Sequence, residues 1–185
     1  MRVAEEKLKS NVAEYILYMW QMEDVVRSFN FDIEAIEFNL LRPVLKSEEE
    51  LKAEKEWFSQ LIRNMKNQEI EQKGHLNDIY EIIQELFYLH NTLLNVAKDP
   101  SYLQLHEEAA PGMEDYRLRS KSHSMNEVEL CFNALYTKLL LRLKKQEISS
   151  ETESAFTAFS KMISYLCSSY HKMKKGELNF NFNLN

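Results

Sequence analysis

Residues 75–98, HLNDIYEIIQELFYLHNTLLNVAK, carry the cleanest period in the chain. Leu76, Ile79, Ile83, Leu86, His90, Leu93 and Ala97 follow one another at steps of three, four, three, four, three and four. That spacing marks one face of an α-helix, and Tyr80, Phe87 and Leu94 widen the face. The stretch therefore predicts a helix over 75–98, buried along its length. Its one polar member is His90, and a neutral imidazole on an apolar face needs a hydrogen-bond partner.

The same period extends in both directions. Upstream, Leu8, Val12, Tyr15, Met19, Met22, Val26 and Phe29 predict a single helix over about 3–29, with Ala13, Ile16 and Trp20 beside the stripe. Asp32 is placed to cap a short helix carrying Ile33, Ile36 and Leu40, which stops before Pro43. Ser47 followed by Glu50 forms a capping box for a third helix holding Leu51, Phe58, Ile62 and Met65. Gly74 breaks the pattern. Downstream, Asp99-Pro100 reads as a cap with proline at the first helical position. Ala110-Pro111-Gly112 is expected to interrupt that fifth helix, and residues 119–126 are expected to form the longest loop. A sixth helix over about 126–146 places Val128, Phe132, Leu135, Leu139 and Leu143 on one face, with Leu130, Ala134 and Leu141 on another. Ser150 is expected to cap the last helix, which ends at Gly176. The expected fold is all-α: a single-domain bundle of six to seven helices with antiparallel neighbours, over residues 1–176.

Composition agrees and removes whole classes of function. The 185 residues include three glycines and three prolines, where an average chain carries about 12% of the two together. Sandwiches and barrels need far more turn-formers. With three isolated glycines, no GxGxxG, phosphate-binding loop or GxSxG elbow is present. The 23 basic and 29 acidic residues leave a net charge of −6, which disfavours nucleic acid as a partner. The aromatic side chains at helical spacing read as core. Cys131 and Cys167 stand alone, as reduced buried thiols, and no metal-ligand spacing accompanies them. No apolar run approaches the length of a membrane span, and no apolar core of an export signal follows Met1. The expected location is the cytoplasm, with no membrane partner. The Glu-x-x-His pairs of di-iron bundles and the HExxH pattern are absent. His75 with Asp78 is the nearest approach to a metal pair, and reads as a surface or capping pair. Neither a metal nor a cofactor is expected.

What remains is polar residues on apolar helices. Glu23, Asp24 and Arg27 follow Trp20, and Arg27 is in reach of either acid. Asn133, Tyr136 and Arg142 interrupt the otherwise apolar sixth helix. These six residues with His90 form the candidate ligand-binding cluster: Arg27 or Arg142 for an anion, His90 or Glu23 as acid or base. The competing reading is a polar network that fixes helix register. The tail, residues 177–185, alternates apolar and polar with period two and is expected extended or disordered, with docking on a neighbouring chain as the sharper alternative.

Three stretches carry a family resemblance: Asn11 to Arg27, Gln72 to Leu76, and Cys131 to Tyr136 with its continuation Leu141 to Ser149. In these the chain resembles a bacterial domain-of-unknown-function family of small all-helical proteins. The resemblance implies one helical, intracellular domain and assigns no activity. The expected function is a non-catalytic helical scaffold or interaction protein, self-associating or binding a protein partner. The alternative is a small-ligand-binding protein or enzyme using the polar cluster.

Overall fold

The computed structural model describes residues 2–120 and 124–178. Among these residues the chain is helical throughout, without strands. It forms eight α-helices rather than six or seven: α1 (Arg2–Ser10), α2 (Val12–Ser28), α3 (Ile33–Ile36), α4 (Glu48–Asn67), α5 (Asn77–Asn91), α6 (Pro100–Ser120), α7 (Glu127–Leu143) and α8 (Ser150–Lys174). Single π-helical turns extend α3 over Glu37–Leu41 and α5 over Thr92–Val96. The chain divides into two compact units, Met1–Glu81 and Ile82–Asn185, and the division falls within α5.

In the first unit the predicted helix over 3–29 is two helices. The cause is Asn11. Its backbone is extended, with φ −154° and ψ 97°, and its side chain accepts from the amides of Ala13 and Glu14. That cap ends one helix and starts the next. The face of α2 is also turned from its predicted position. Val12, Ile16, Met19, Trp20, Glu23 and Val26 are buried, whereas Leu8 on α1 is exposed. A carboxylate thus lies on the core stripe. Asp32 caps α3 as expected, accepting from the amides of Glu34 and Ala35. The π turn inserts one residue per turn, so the buried apolar positions step by five, from Ile36 to Leu41, with Glu37 buried between them, and Leu40 is displaced from the core. Ser47 caps α4, whose Leu51, Phe58, Leu61, Ile62 and Met65 complete the core with Leu76 and Ile79. Each such side chain contributes roughly 1.5–3 kcal/mol on burial.

The second unit holds the remainder of α5 with α6, α7 and α8. Six of the seven predicted stripe positions, Leu76 to Leu93, are buried, and Ala97 is half-buried. Asp99 caps α6 by accepting from the Tyr102 amide at 2.9 Å, and it also accepts from the Tyr165 hydroxyl at 3.0 Å. The expected interruption at Pro111-Gly112 does not occur: α6 runs through both. A proline inside a helix costs about 3 kcal/mol, so packing must outweigh it. Gly112 shows how. A Cβ built there would lie 3.0 Å from Ala155 Cβ and 3.2 Å from the Phe159 ring, so the missing side chain lets α6 approach α8 closely. The expected loop over 119–126 is correspondingly shorter, because α6 continues to Ser120. Its residues 121–123 lie outside the described residues. The sixth predicted helix ends early, at Leu143 instead of 146, because Lys145 turns to φ +54°. Its first half is buried on several sides through Val128, Leu130, Cys131, Phe132 and Ala134, while Leu143 is exposed. The last helix is capped by Ser149, one residue before the expected Ser150. The alternating tail from residue 179 onward lies outside the described residues.

Candidate functional site

The polar residues of α2 pin the loop that precedes α5. Glu23 is fully buried. One of its oxygens lies 2.6 Å from His75 Nδ1, and the other accepts from the Leu76 amide at 3.0 Å. The His75 ring stacks on Trp20 with centroids 4.1 Å apart and planes 13° from parallel. Arg27 pairs with Asp24, the second of its two sequence-predicted partners, at 2.9 Å. Its other terminal nitrogen donates to the carbonyls of Ile70 at 3.0 Å and Gly74 at 2.5 Å. Gln68 closes the loop by accepting from the Asn77 amide. The chain can make this turn because Glu69 and Gly74 take φ values of +55° and +95°. Asp24, Glu23 and Arg27 therefore act together, as loop anchors. The sequence paired His75 with Asp78, but its Nδ1 meets Glu23 instead.

A different centre forms in the second unit around His90. The imidazole is buried on α5, and its Nδ1 lies 2.7 Å from the hydroxyl of the equally buried Tyr102 on α6. Its Nε2 lies 3.3 Å from a Glu127 carboxylate oxygen at the start of α7. His106, one turn beyond Tyr102 on α6, places its Nε2 2.7 Å from the same oxygen. Three helices thus bring two imidazoles to one carboxylate. The three ligand-type atoms lie within 4.8 Å of one another. His106 and Glu127 are only partly buried, with 24% and 39% of their side chains exposed, so the centre opens to solvent on that side.

Electrostatics follow from the arrangement. The His90 imidazole, and then His106, outweigh desolvation and hold the Glu127 carboxyl down at about 2. The first turn of α7 adds the favourable end of a helix dipole. Burial pushes the Tyr102 hydroxyl well above its ordinary range, with Cys131, Cys167 and Glu127 reinforcing the shift. Burial likewise pushes the Cys131 thiol up, so it stays protonated and unreactive. Both cysteines are buried and in the thiol form, as expected.

The other sequence-predicted residues of α7 bond elsewhere. Asn133 donates to the Glu129 carbonyl one turn back at 3.0 Å. Tyr136 is buried. Arg142 is largely exposed and pairs with Glu153 at 2.9 Å. Sequence reasoning found His90 and missed Tyr102, His106 and Glu127. Glu-x-x-His and HExxH patterns place their ligands on one helix, whereas this set comes from three. The second unit also has a surface cleft lined by Pro111, Gly112, Tyr116, Thr137, Leu141 and Phe156 among others.

Fold and centre together define an all-helical protein with a partly open imidazole–carboxylate cluster. Among the described residues no helix is long and apolar enough to cross a membrane. Residues 1–177 match the model of a family described as a domain of unknown function (DUF4924), and the chain belongs to that family. Neither a curated protein nor a solved structure matches the chain.

Proposed function

We propose that the protein binds a small ligand at the imidazole–carboxylate centre of its second unit. One observation supports this above all: two imidazole nitrogens and a carboxylate from α5, α6 and α7 converge on one point, and two of the three groups reach solvent. A network that only fixes register gains nothing from an opening, whereas a ligand site needs one. The scaffold reading rests on exposed apolar side chains such as Phe38, Val44, Tyr88 and Leu143. Most folded chains show a similar complement, so that reading ranks second.

A thermal-shift screen against divalent cations, inorganic anions and common metabolites tests the proposal on wild type, His106→Ala and Glu127→Gln. At least one compound is expected to raise the wild-type Tm and to lose its effect in both variants. Far-UV circular dichroism should report unchanged helicity. A screen without hits, or hits that both variants retain, removes the proposal and leaves the scaffold reading. The retained kind would point to the cleft along α6 and α8.

A further inference from the structure

The geometry points to a divalent first-row transition-metal ion as the ligand, held by His90 Nε2, His106 Nε2 and a Glu127 carboxylate oxygen. This inference rests on the binding proposal above. The spacing is the first reason. Ligands of a four-coordinate ion with bonds of about 2.0–2.1 Å stand about 3.3 Å from one another. The carboxylate oxygen already lies 2.7 Å and 3.3 Å from the two imidazole nitrogens, so side-chain adjustments alone admit an ion.

Donor chemistry is the second reason. Two imidazoles and one carboxylate suit zinc, iron, cobalt or nickel. Calcium and magnesium demand mostly oxygen ligands and fit poorly. Three protein ligands leave at least one coordination position for water or a further molecule, and the solvent-facing side at His106 and Glu127 provides the room.

The third reason is the shell behind the ligands. A metal-bound histidine commonly places its second ring nitrogen on a hydrogen-bonding partner, which fixes its tautomer and ring orientation. His90 has this partner in the Tyr102 hydroxyl, 2.7 Å from Nδ1. The Tyr102 ring is itself fully buried, so His90 is held from behind. Without the ion, the Nε2–H tautomer of each ring can donate to the carboxylate oxygen. The ion takes the lone pair of each Nε2, so each neutral ring moves its single proton from Nε2 to Nδ1 by exchange with solvent, with no net release of protons from the rings. On His90 that proton is then donated to the Tyr102 oxygen.

Tag-free protein stripped with a chelator and dialysed is the material for the test. Zn2+ is titrated by calorimetry and Co2+ by visible absorption. One equivalent of either ion per chain is expected, with a Co2+ spectrum of low coordination number, unaffected by excess Ca2+ or Mg2+. Tyr102→Phe keeps all three ligands and should weaken binding by about 10–100-fold. His106→Ala and Glu127→Gln should weaken it further. Each variant is checked for helicity first. His106 is partly exposed, so at least that replacement is expected to leave a folded protein. Absence of stoichiometric binding, or equal affinity in wild type and His106→Ala, overturns the metal assignment. If an organic compound from the screen then binds wild type but not His106→Ala, the ion alone is wrong. If nothing binds, the binding proposal falls with it.

Discussion

At the scale of single residues, Glu23 shows what the sequence can and cannot announce. Its position on α2 is fixed by helical spacing from Val12, Ile16 and Trp20, but its partner lies 52 residues away at His75. A buried carboxylate is costly unless every lone pair is answered. Here one oxygen meets the imidazole and the other receives the Leu76 amide. Glu23→Ala removes both interactions, strands the buried Leu76 amide and leaves the partly exposed His75 ring to water. It is expected to cost about 2–4 kcal/mol, short of the range for a fully buried pair because His75 is partly exposed. Glu23→Gln keeps an acceptor for one donor and should cost about 1–3 kcal/mol. Urea unfolding at neutral pH measures both. A Glu23→Ala loss below that of Glu23→Gln would show that the carboxylate does not hold the loop.

At the scale of elements, Gly112 sets the closeness of α6 and α8. Alanine is a better helix former than glycine by about 1 kcal/mol, so a helix judged alone predicts stabilisation by Gly112→Ala. The new methyl, however, would stand 3.0 Å from Ala155 Cβ, an atom fixed to its own backbone, and overpacking costs about 1–3 kcal/mol. The expected result is a lower Tm. The double variant Gly112→Ala with Ala155→Gly should recover part of the loss, since the two methyls compete for the same space. Equal Tm values for wild type and Gly112→Ala would mean the helices separate freely. This site also explains which elements the sequence made legible. Caps and stripes are local, so Asp32, Ser47, Asp99-Pro100 and the face from Leu76 to Leu93 all lie where spacing predicted. Asn11 is a local cap as well, but the apolar period that runs through it on both sides hides it; at Pro111-Gly112 packing against α8 decides, and proline and glycine alone do not terminate a helix held by such a contact. The centre at His90 was half legible. A histidine on an apolar stripe demands a partner, but which helices supply it depends on packing that no period in one chain encodes.

At the scale of the whole molecule, charge governs response to acid. The chain carries a net −6 at neutral pH, and several carboxylates are held below their ordinary range by cations. Lys55, then Arg42, lowers Glu37, with the Lys55 ammonium 2.5 Å away. Lys174 at 2.7 Å, then the Tyr170 hydroxyl, lowers Glu85. Lys138 at 2.6 Å lowers Glu153, with Arg142 assisting. A carboxyl whose folded value is depressed releases its proton more readily folded than unfolded. Its contribution is therefore complete above the unfolded value of about 4.3, and is lost as pH falls through the lower folded value. The stability of wild type should be level from about pH 7 to 5 and decline below about 4.3. The triple variant Glu37→Gln, Glu85→Gln and Glu153→Gln should be less stable than wild type at pH 7. The gap between the two should narrow as pH falls, because acid removes from wild type the charges the variant already lacks. Salt near 1 M should shrink the part of the neutral-pH gap that comes from Glu85 and Glu153, whose pairs are partly exposed, since screening then extends only about 3 Å; the buried Glu37 is screened less. Urea midpoints from pH 7 to 3 measure all of this. A gap of constant size across that range would mean that the three carboxylates act through packing rather than charge.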